Sequence, residues 1–574
     1  MVEIRSRSGS LPAIPDDLTI PQFQLDYRDP NRPIRPAHVP CLIDDGSGRR
    51  VLFPELQQRT QALANSLSSL YSIGEDDVVL LFSRNHVDYP VAIWAVHRLG
   101  GIISPANPDF GQQELEYQLK ATKAALIICH PDALKTSVSA ARQFGLSSDR
   151  ILVFNVEGST SNADYVTVDH LVERGAKLKA FSERKLKPGE GKTKLAFLSF
   201  SSGTTGTPKA VVIPHIAVIA NVLQLAAHSK VNQDYAPWED QRYRPGDVAS
   251  GVLPLYHIYG LVVNLHFLLY CGMAIVIVPK FNFENMLKSI VRHHITHLMI
   301  VPPQAVLLCK HPAVKKYNLS GIRYIMIGAA PLSDEVNEML FRLFPTAHIG
   351  QGYGMTETCT VTSIWSIERK RGLSGGAGQL VPGVVARVVK TDGTVGGYND
   401  VGELVVKSPS NALAYYNNHQ ATKETFVDGW VRTGDEVKIT TDGELWIIDR
   451  IKEILKVKGF QVAPAELEGT LLDHPDVSDT CVVGVPDEFS GEIPLAFVVL
   501  TADADARVQS SSRALEDIRN SIVKHVASNK VAYKHLTGGV VFVPSIPKTP
   551  SGKLLRRVLR EQAKELRKAT KAKL

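Results

Sequence analysis

Only six of the 574 residues are cysteine, and Cys41, Cys129, Cys271, Cys309, Cys359 and Cys481 stand far apart with no CxxC pair among them. That spacing excludes a disulfide framework and a thiolate zinc site, and it predicts reduced thiols in an intracellular compartment. Long apolar runs are also missing. The nearest, residues 258–278, is interrupted by Asn264, His266 and Gly272. A bilayer helix needs about 20 largely apolar residues, so this run reads as a buried helix, a glycine turn and a buried strand, and no transmembrane span is expected. The N-terminal MVEIRSRSGSLPAIPDD lacks the apolar core of a secretory signal, and no repeat of solenoid length occurs. His293, His294 and His297 cluster without an acidic or thiol companion, and GLSGG at 372–376 lacks the strand before it that a nucleophile elbow requires.

The formal net charge of +6 invites a nucleic-acid reading until it is located. Residues 553–574 carry nine Lys/Arg against two Glu, leaving the other 552 near −1. The excess belongs to a terminal basic helix, which reads as a solvated face, and no nucleic-acid partner is expected.

A hydrophobic fraction of 44% over 574 residues supports more than one large core. After a Pro-rich polar opening of about fifty residues, helical and strand-like runs alternate: 56–71 helix, 78–82 strand, 88–99 helix, and then strands at 125–129, 151–154, 298–301 and 324–327. Such alternation predicts an α/β fold, a large N-terminal domain (1–451) of layered subdomains with largely parallel sheets. Residues 156–194 read as a polar surface excursion. Glycine-rich hairpins over 385–448 predict a small antiparallel β-subdomain, and 452–574, with strands in TCVVGV and LAFVVL and a helix near 515–526, a small α+β C-terminal domain.

The strongest local signal is SSGTTGTPK at 201–209, where an apolar strand runs straight into Ser201, Ser202, Gly203, Thr204, Thr205, Gly206 and Lys209. Glycines let backbone amides approach an anion, hydroxyls donate to it and an ammonium balances it, which is phosphate chemistry. The spacing differs from GxxxxGK[ST], because Gly203 and Gly206 are three apart and Pro208 precedes Lys209.

This string resembles the phosphate loop of the adenylate-forming (acyl-CoA synthetase/luciferase) superfamily, and further signatures follow in that family's order. They are PLYHIYG (254–260), GAAPL (328–332), QGYGMTET (351–358), RTGD (432–435), DRIKEILKVKGFQVAPAELE (449–468) and PKTPSGKLLRR (547–557). The resemblance implies an acid-thiol ligase that uses ATP, Mg²⁺ and coenzyme A. The acid first becomes an acyl-adenylate and then a thioester. Because a carboxylate must attack an anionic phosphate, repelled by roughly 1 kcal/mol at 4 Å in water and about 4 at an effective dielectric of 20, cations have to be placed there.

By resemblance, Lys553 bridges the acid and the α-phosphate, Thr356 donates to that phosphate, and Glu357 holds Mg²⁺. Asp435 and Arg450 meet the ribose, and Gly352, Tyr353 and Gly354 line the nucleotide site, with Tyr353 either stacking on adenine or simply packing. An acyl pocket is implied at Tyr256, His257, Gly328, Ala329, Ala330, Pro331, Gly352 and Gly354; its small residues leave room for a flat ring or serve close backbone packing. Lys452 falls at the hinge of a mobile small domain. Lys456 and Gln461 are further active-site residues there, and Lys458, Gly459 and Phe460 face the CoA channel.

AVHRLGG (95–101) and KETFVDGWVRTGDE resemble 4-coumarate:CoA ligase relatives and fungal phenylacetyl-CoA ligases. An aromatic acid of cinnamic, phenylacetic or benzoic type is therefore expected. A medium- or long-chain fatty acid, or an adenylating enzyme loading a carrier protein, is the alternative. GELVVKS at 402–408 and Ala210 after Lys209 depart from the plant coumarate ligases. The terminal Ala572-Lys573-Leu574 resembles an address read by the peroxisomal import receptor, which predicts a peroxisomal location, with a cytoplasmic one as the alternative.

Overall fold

The computed structural model describes residues 2–158, 164–201, 208–330, 332, 334–451, 453–457, 460–487, 490–548 and 554–571. Alternating helices and strands assemble as the sequence pattern requires. Val78–Phe82 lies in parallel between Ile102–Ala106 and Leu126–Cys129, with Ile151–Val153 beyond and Leu195–Ser201 on the other side. All five residues of Val78–Phe82 are buried, as expected of a parallel strand covered on both faces. Lys209–Pro214 turns back antiparallel on Leu195–Ser201, and the short strand Ala414–Tyr415 pairs with it from far along the chain.

A second sheet contains sixteen strands among the described residues, and it changes character along its width. Leu42–Asp44, Ala274–Ile277, Val248–Gly251, His297–Ile300 and Tyr324–Ile327 run parallel up to His348–Met355. That strand pairs in parallel through Gln351, then antiparallel with Thr360–Ile364 from Gly352 onward. The antiparallel part continues through Gly376–Leu380, Glu444–Arg450, Trp430–Ile439, Val401–Lys407 and Val385–Val389. The expected β-subdomain is thus the continuation of the parallel sheet. The glycines of QGYG sit at the point where it reverses direction, the kind of place where open α/β sheets leave a crevice.

The C-terminal unit has its own five-stranded sheet, in which Val477–Asp487 and Gly491–Leu500 form a long hairpin flanked by Leu455–Val457, Phe460–Val462 and Gly539–Phe542. Two buried clusters drawn entirely from residues 455–563 make its core. The helix expected near 515–526 spans Ser512–Asn529.

One expectation needs correction. Residues 156–194 contain the helix Val168–Gly175, whose Leu171 and Val172 are buried in the main core; the Cβ position of its Gly175 lies 1.8 Å from the carbonyl oxygen of Ala62 in the helix Phe53–Tyr71. The run at 258–278 is the expected buried helix, glycine turn and buried strand: the helix is π-type over Tyr259–Phe267 and α over Leu268–Tyr270, Gly272 turns the chain at φ 76°, and the strand is Ala274–Ile277. Among the described residues no helix is long and apolar enough to cross a membrane.

Candidate active site

The densest group of expected site residues gathers where the large sheet reverses. Asp435 and Arg450 are opposite one another on antiparallel strands, and Arg450 Nε lies 2.6 Å from Asp435 Oδ1. The hydroxyl of Tyr353 donates to Asp435 Oδ2 at 2.6 Å. Both oxygens of a carboxylate only 2% exposed are therefore engaged by protein groups, which fixes its orientation. Gly434 supplies the left-handed backbone (φ 70°) at the irregular step of the strand Trp430–Ile439 before Asp435, and Thr433 Oγ accepts the Asp435 N–H. Burial opposes the charge on Arg450, but Asp435 and the nearby Tyr353, Glu453 and Glu357 outweigh it and hold the guanidinium protonated. Tyr353 is thus tied to the Asp435–Arg450 pair by its hydroxyl.

The turn after the strand His348–Met355 carries Thr356 and Glu357 and is strained. Cys359 and Thr360 both adopt positive φ (51° and 101°), and for a β-branched threonine that costs on the order of 1–3 kcal/mol. The tight approach explains Gly354: a β-carbon there would lie 1.5 Å from the Thr360 carbonyl oxygen. Glu357 is 5% exposed, and its Oε1 accepts the Tyr415 hydroxyl at 2.8 Å. No hydrogen bond to Oε2 occurs among the described residues, so a hard oxygen ligand is presented with one lone-pair edge unused. That donor fits Mg²⁺ as a single protein ligand supplemented by phosphate oxygens. Tyr415 in turn lies under Lys209, whose ammonium is 5.0 Å from the ring centroid. Burial, and then the Glu357 carboxylate, push the Tyr415 phenol well above its ordinary range, so it remains a donor.

The acyl-side residues form a second, adjoining wall. His257 Nδ1 accepts the N–H of Tyr259 at 3.3 Å. Tyr259, absent from the sequence expectation, is 6% exposed and donates its hydroxyl to the Met326 carbonyl at 3.1 Å. Its ring faces Gly328: a β-carbon there would sit 3.2 Å from Tyr259 Cε1 and 3.4 Å from the Gly352 carbonyl. The two glycines and Tyr259 therefore abut. Ala329 is held at φ 74°, a position that ordinarily favours glycine. Burial raises the Tyr256 phenol above its ordinary range, with Asp109 adding to it.

Not every expected residue joins this group. Lys456 is exposed on Leu455–Val457 with its backbone N–H on Glu492, and Phe460 stacks at 4.4 Å on Tyr533 of the same unit. KEILKVKG contributes one of two short paired strands, in which the alternating Leu455 and Val457 fill the small unit's core. Ser202, Gly203, Thr204, Thr205, Gly206, Pro331, Lys452, Lys458, Gly459, Lys553 and Ala572-Lys573-Leu574 lie outside the described residues, as does the side chain of Gln461. Sequence reasoning also missed Asp449. It is buried, and its Oδ2 accepts the Ala465 N–H at the start of the helix Pro464–Leu472.

Residues 31–416 match the family model described as AMP-binding enzyme, and residues 466–553 match that described as AMP-binding enzyme C-terminal domain. A 4-coumarate–CoA ligase of Oryza sativa subsp. japonica is 35% identical over 532 residues, 91% of this chain and 89% of the relative. An acyl-CoA ligase of Alternaria alternata is 34% identical over 569 residues, covering 96% and 95%. An anthranilate CoA ligase in complex with anthranoyl-AMP, at 23% identity, shares the fold with a TM-score of 0.80 over 97% of this chain and 99% of its own.

Proposed function

The chain belongs to the AMP-binding enzyme family, and from that premise we propose that it is an acid:CoA ligase acting on an aromatic carboxylic acid. The observation that carries the reading is the fixed Tyr353–Asp435–Arg450 group beside Glu357, Tyr415 and Lys209. It offers an aligned acceptor for ribose hydroxyls and, next to it, charge suited to a triphosphate. In the first step a carboxylate oxygen of the acid bonds to the α-phosphorus of ATP and pyrophosphate leaves. In the second the thiol sulfur of CoA bonds to the acyl carbon, the thiol proton passes to solvent, and AMP leaves.

Lys209 and Lys553 offset the repulsion between acid and phosphate, and Thr356 donates to the α-phosphate. Mg²⁺ bound at Glu357 would neutralise phosphate charge. His257 stands on the acyl side, and Asp435 fixes the nucleotide so that attack is in line. The C-terminal unit, with its separate core, turns about Lys452 to exchange Lys553 for the Lys456 and Phe460 face.

An aromatic acid is supported by relatives named as 4-coumarate ligases and by the side-chain-free surface of the glycines at 328 and 352 beside the Tyr259 ring. Pyrophosphate release measured with cinnamic, phenylacetic, benzoic and C8–C16 fatty acids tests it. The aromatic acids should show kcat/KM about 10-fold or more above the fatty acids, a discrimination that shape alone can deliver. A fatty acid at the head of the ranking would overturn the assignment of the acid while leaving adenylation intact.

A further inference from the structure

We infer that Tyr415 is a positioning residue that sets the metal-binding carboxylate and the phosphate-loop cation relative to one another. The inference rests on Glu357 holding Mg²⁺ and goes beyond it, because Tyr415 carries none of the roles implied by the sequence motifs. Its ring is 7% exposed and braced edge-on by Phe426 at 5.4 Å. One end of the side chain donates to Glu357 Oε1, while the face of the ring lies under the Lys209 ammonium.

The backbone around it ties the same two places together. Ala412 N–H donates to the Glu357 carbonyl at 2.9 Å, and Tyr416 N–H donates to the carbonyl of Ala210, directly after Lys209, at 2.7 Å. Between them Ala414 and Tyr415 pair with Val212 and Val211. A strap of five residues thus spans from the turn that carries Glu357 to the strand that leaves the phosphate loop. The phenol is its one side chain bonded to the carboxylate. A carboxylate held at one oxygen by a neutral donor keeps its other oxygen aimed, and outer partners of this kind tune metal affinity. A phenylalanine would keep the ring under Lys209 and lose the aim.

The test is binding of ATP by calorimetry at stepped Mg²⁺ concentrations for the full chain, for Tyr415→Phe and for Glu357→Gln. AMP binding without metal is measured alongside. Tyr415→Phe is expected to raise the Mg²⁺ midpoint by about 10-fold, to leave AMP affinity within about twofold of the parent chain, and to regain ATP affinity when Mg²⁺ is raised. An unchanged midpoint in Tyr415→Phe with a raised one in Glu357→Gln would overturn the role of Tyr415 alone. An unchanged midpoint in both would remove Glu357 as the ligand and the inference with it. Parallel loss of AMP affinity would reduce Tyr415 to packing.

Discussion

Gly328 shows how much of the proposed acyl site turns on single atoms. A β-carbon at that position meets Tyr259 Cε1 at 3.2 Å, tighter than ordinary contact, and larger branches would have to displace the ring. Gly328→Val is therefore expected to lower kcat/KM for the preferred aromatic acid on the order of 10- to 100-fold with AMP affinity unchanged, as steady-state kinetics and AMP titration would show. Loss of AMP affinity instead would place Gly328 on the nucleotide side. Residues at this scale were legible where chemistry and motif coincide, as for Asp435 and Glu357. Tyr415 was not, because a tyrosine in AYYNNHQ advertises nothing until the fold brings it to a carboxylate 58 positions earlier. Tyr259 was hidden for the same reason, standing beside a histidine that drew the eye.

Among elements, the end of the strand Glu444–Arg450 carries a titration with a definite sign. Burial pushes Asp449 up to about 6, opposed by Arg556 and by its backbone donors. A raised carboxyl favours the folded state while protonated, so its contribution is full below about pH 4 and is lost as pH rises through about 6. Asp449→Asn keeps an oxygen for the Ala465 N–H and discards the buried charge. It should gain on the order of 2 kcal/mol over the parent chain at pH 8 and nothing at pH 4, read as the difference in unfolding temperature at each pH. A variant less stable at pH 8 would show that the charge is needed there. The comparison must be variant against parent: burial depresses His97 to about 3 and His228, His266 and His297 to about 4, so these rings destabilise the chain as pH falls below 6.5, the opposite sense. Elements with a strong period were readable, Val78–Phe82 and Tyr324–Ile327 to the residue. The helix Val168–Gly175 was not: Val168, Leu171, Val172 and Gly175 are buried at helical spacing, but they span only two turns inside a long polar stretch.

Across the whole molecule, two sheets and a separate C-terminal core meet the requirements of a reaction with two nucleophiles and one phosphorus centre. The sheet reversal at Gly352 could not be read from alternation alone, because a parallel and an antiparallel strand of the same composition look alike until their partners are known. The motifs survived that ambiguity, since their chemistry does not depend on strand direction. The central claim is tested most directly by incubating the full chain with MgATP and an aromatic acid, with and without CoA, and following nucleotides and thioester together. Without CoA the account predicts pyrophosphate and acyl-adenylate in amounts close to the enzyme present; with CoA, it predicts AMP, pyrophosphate and acyl-CoA in equal amounts over many turnovers. Formation of ADP and phosphate, or acyl-adenylate that CoA does not consume, would contradict it.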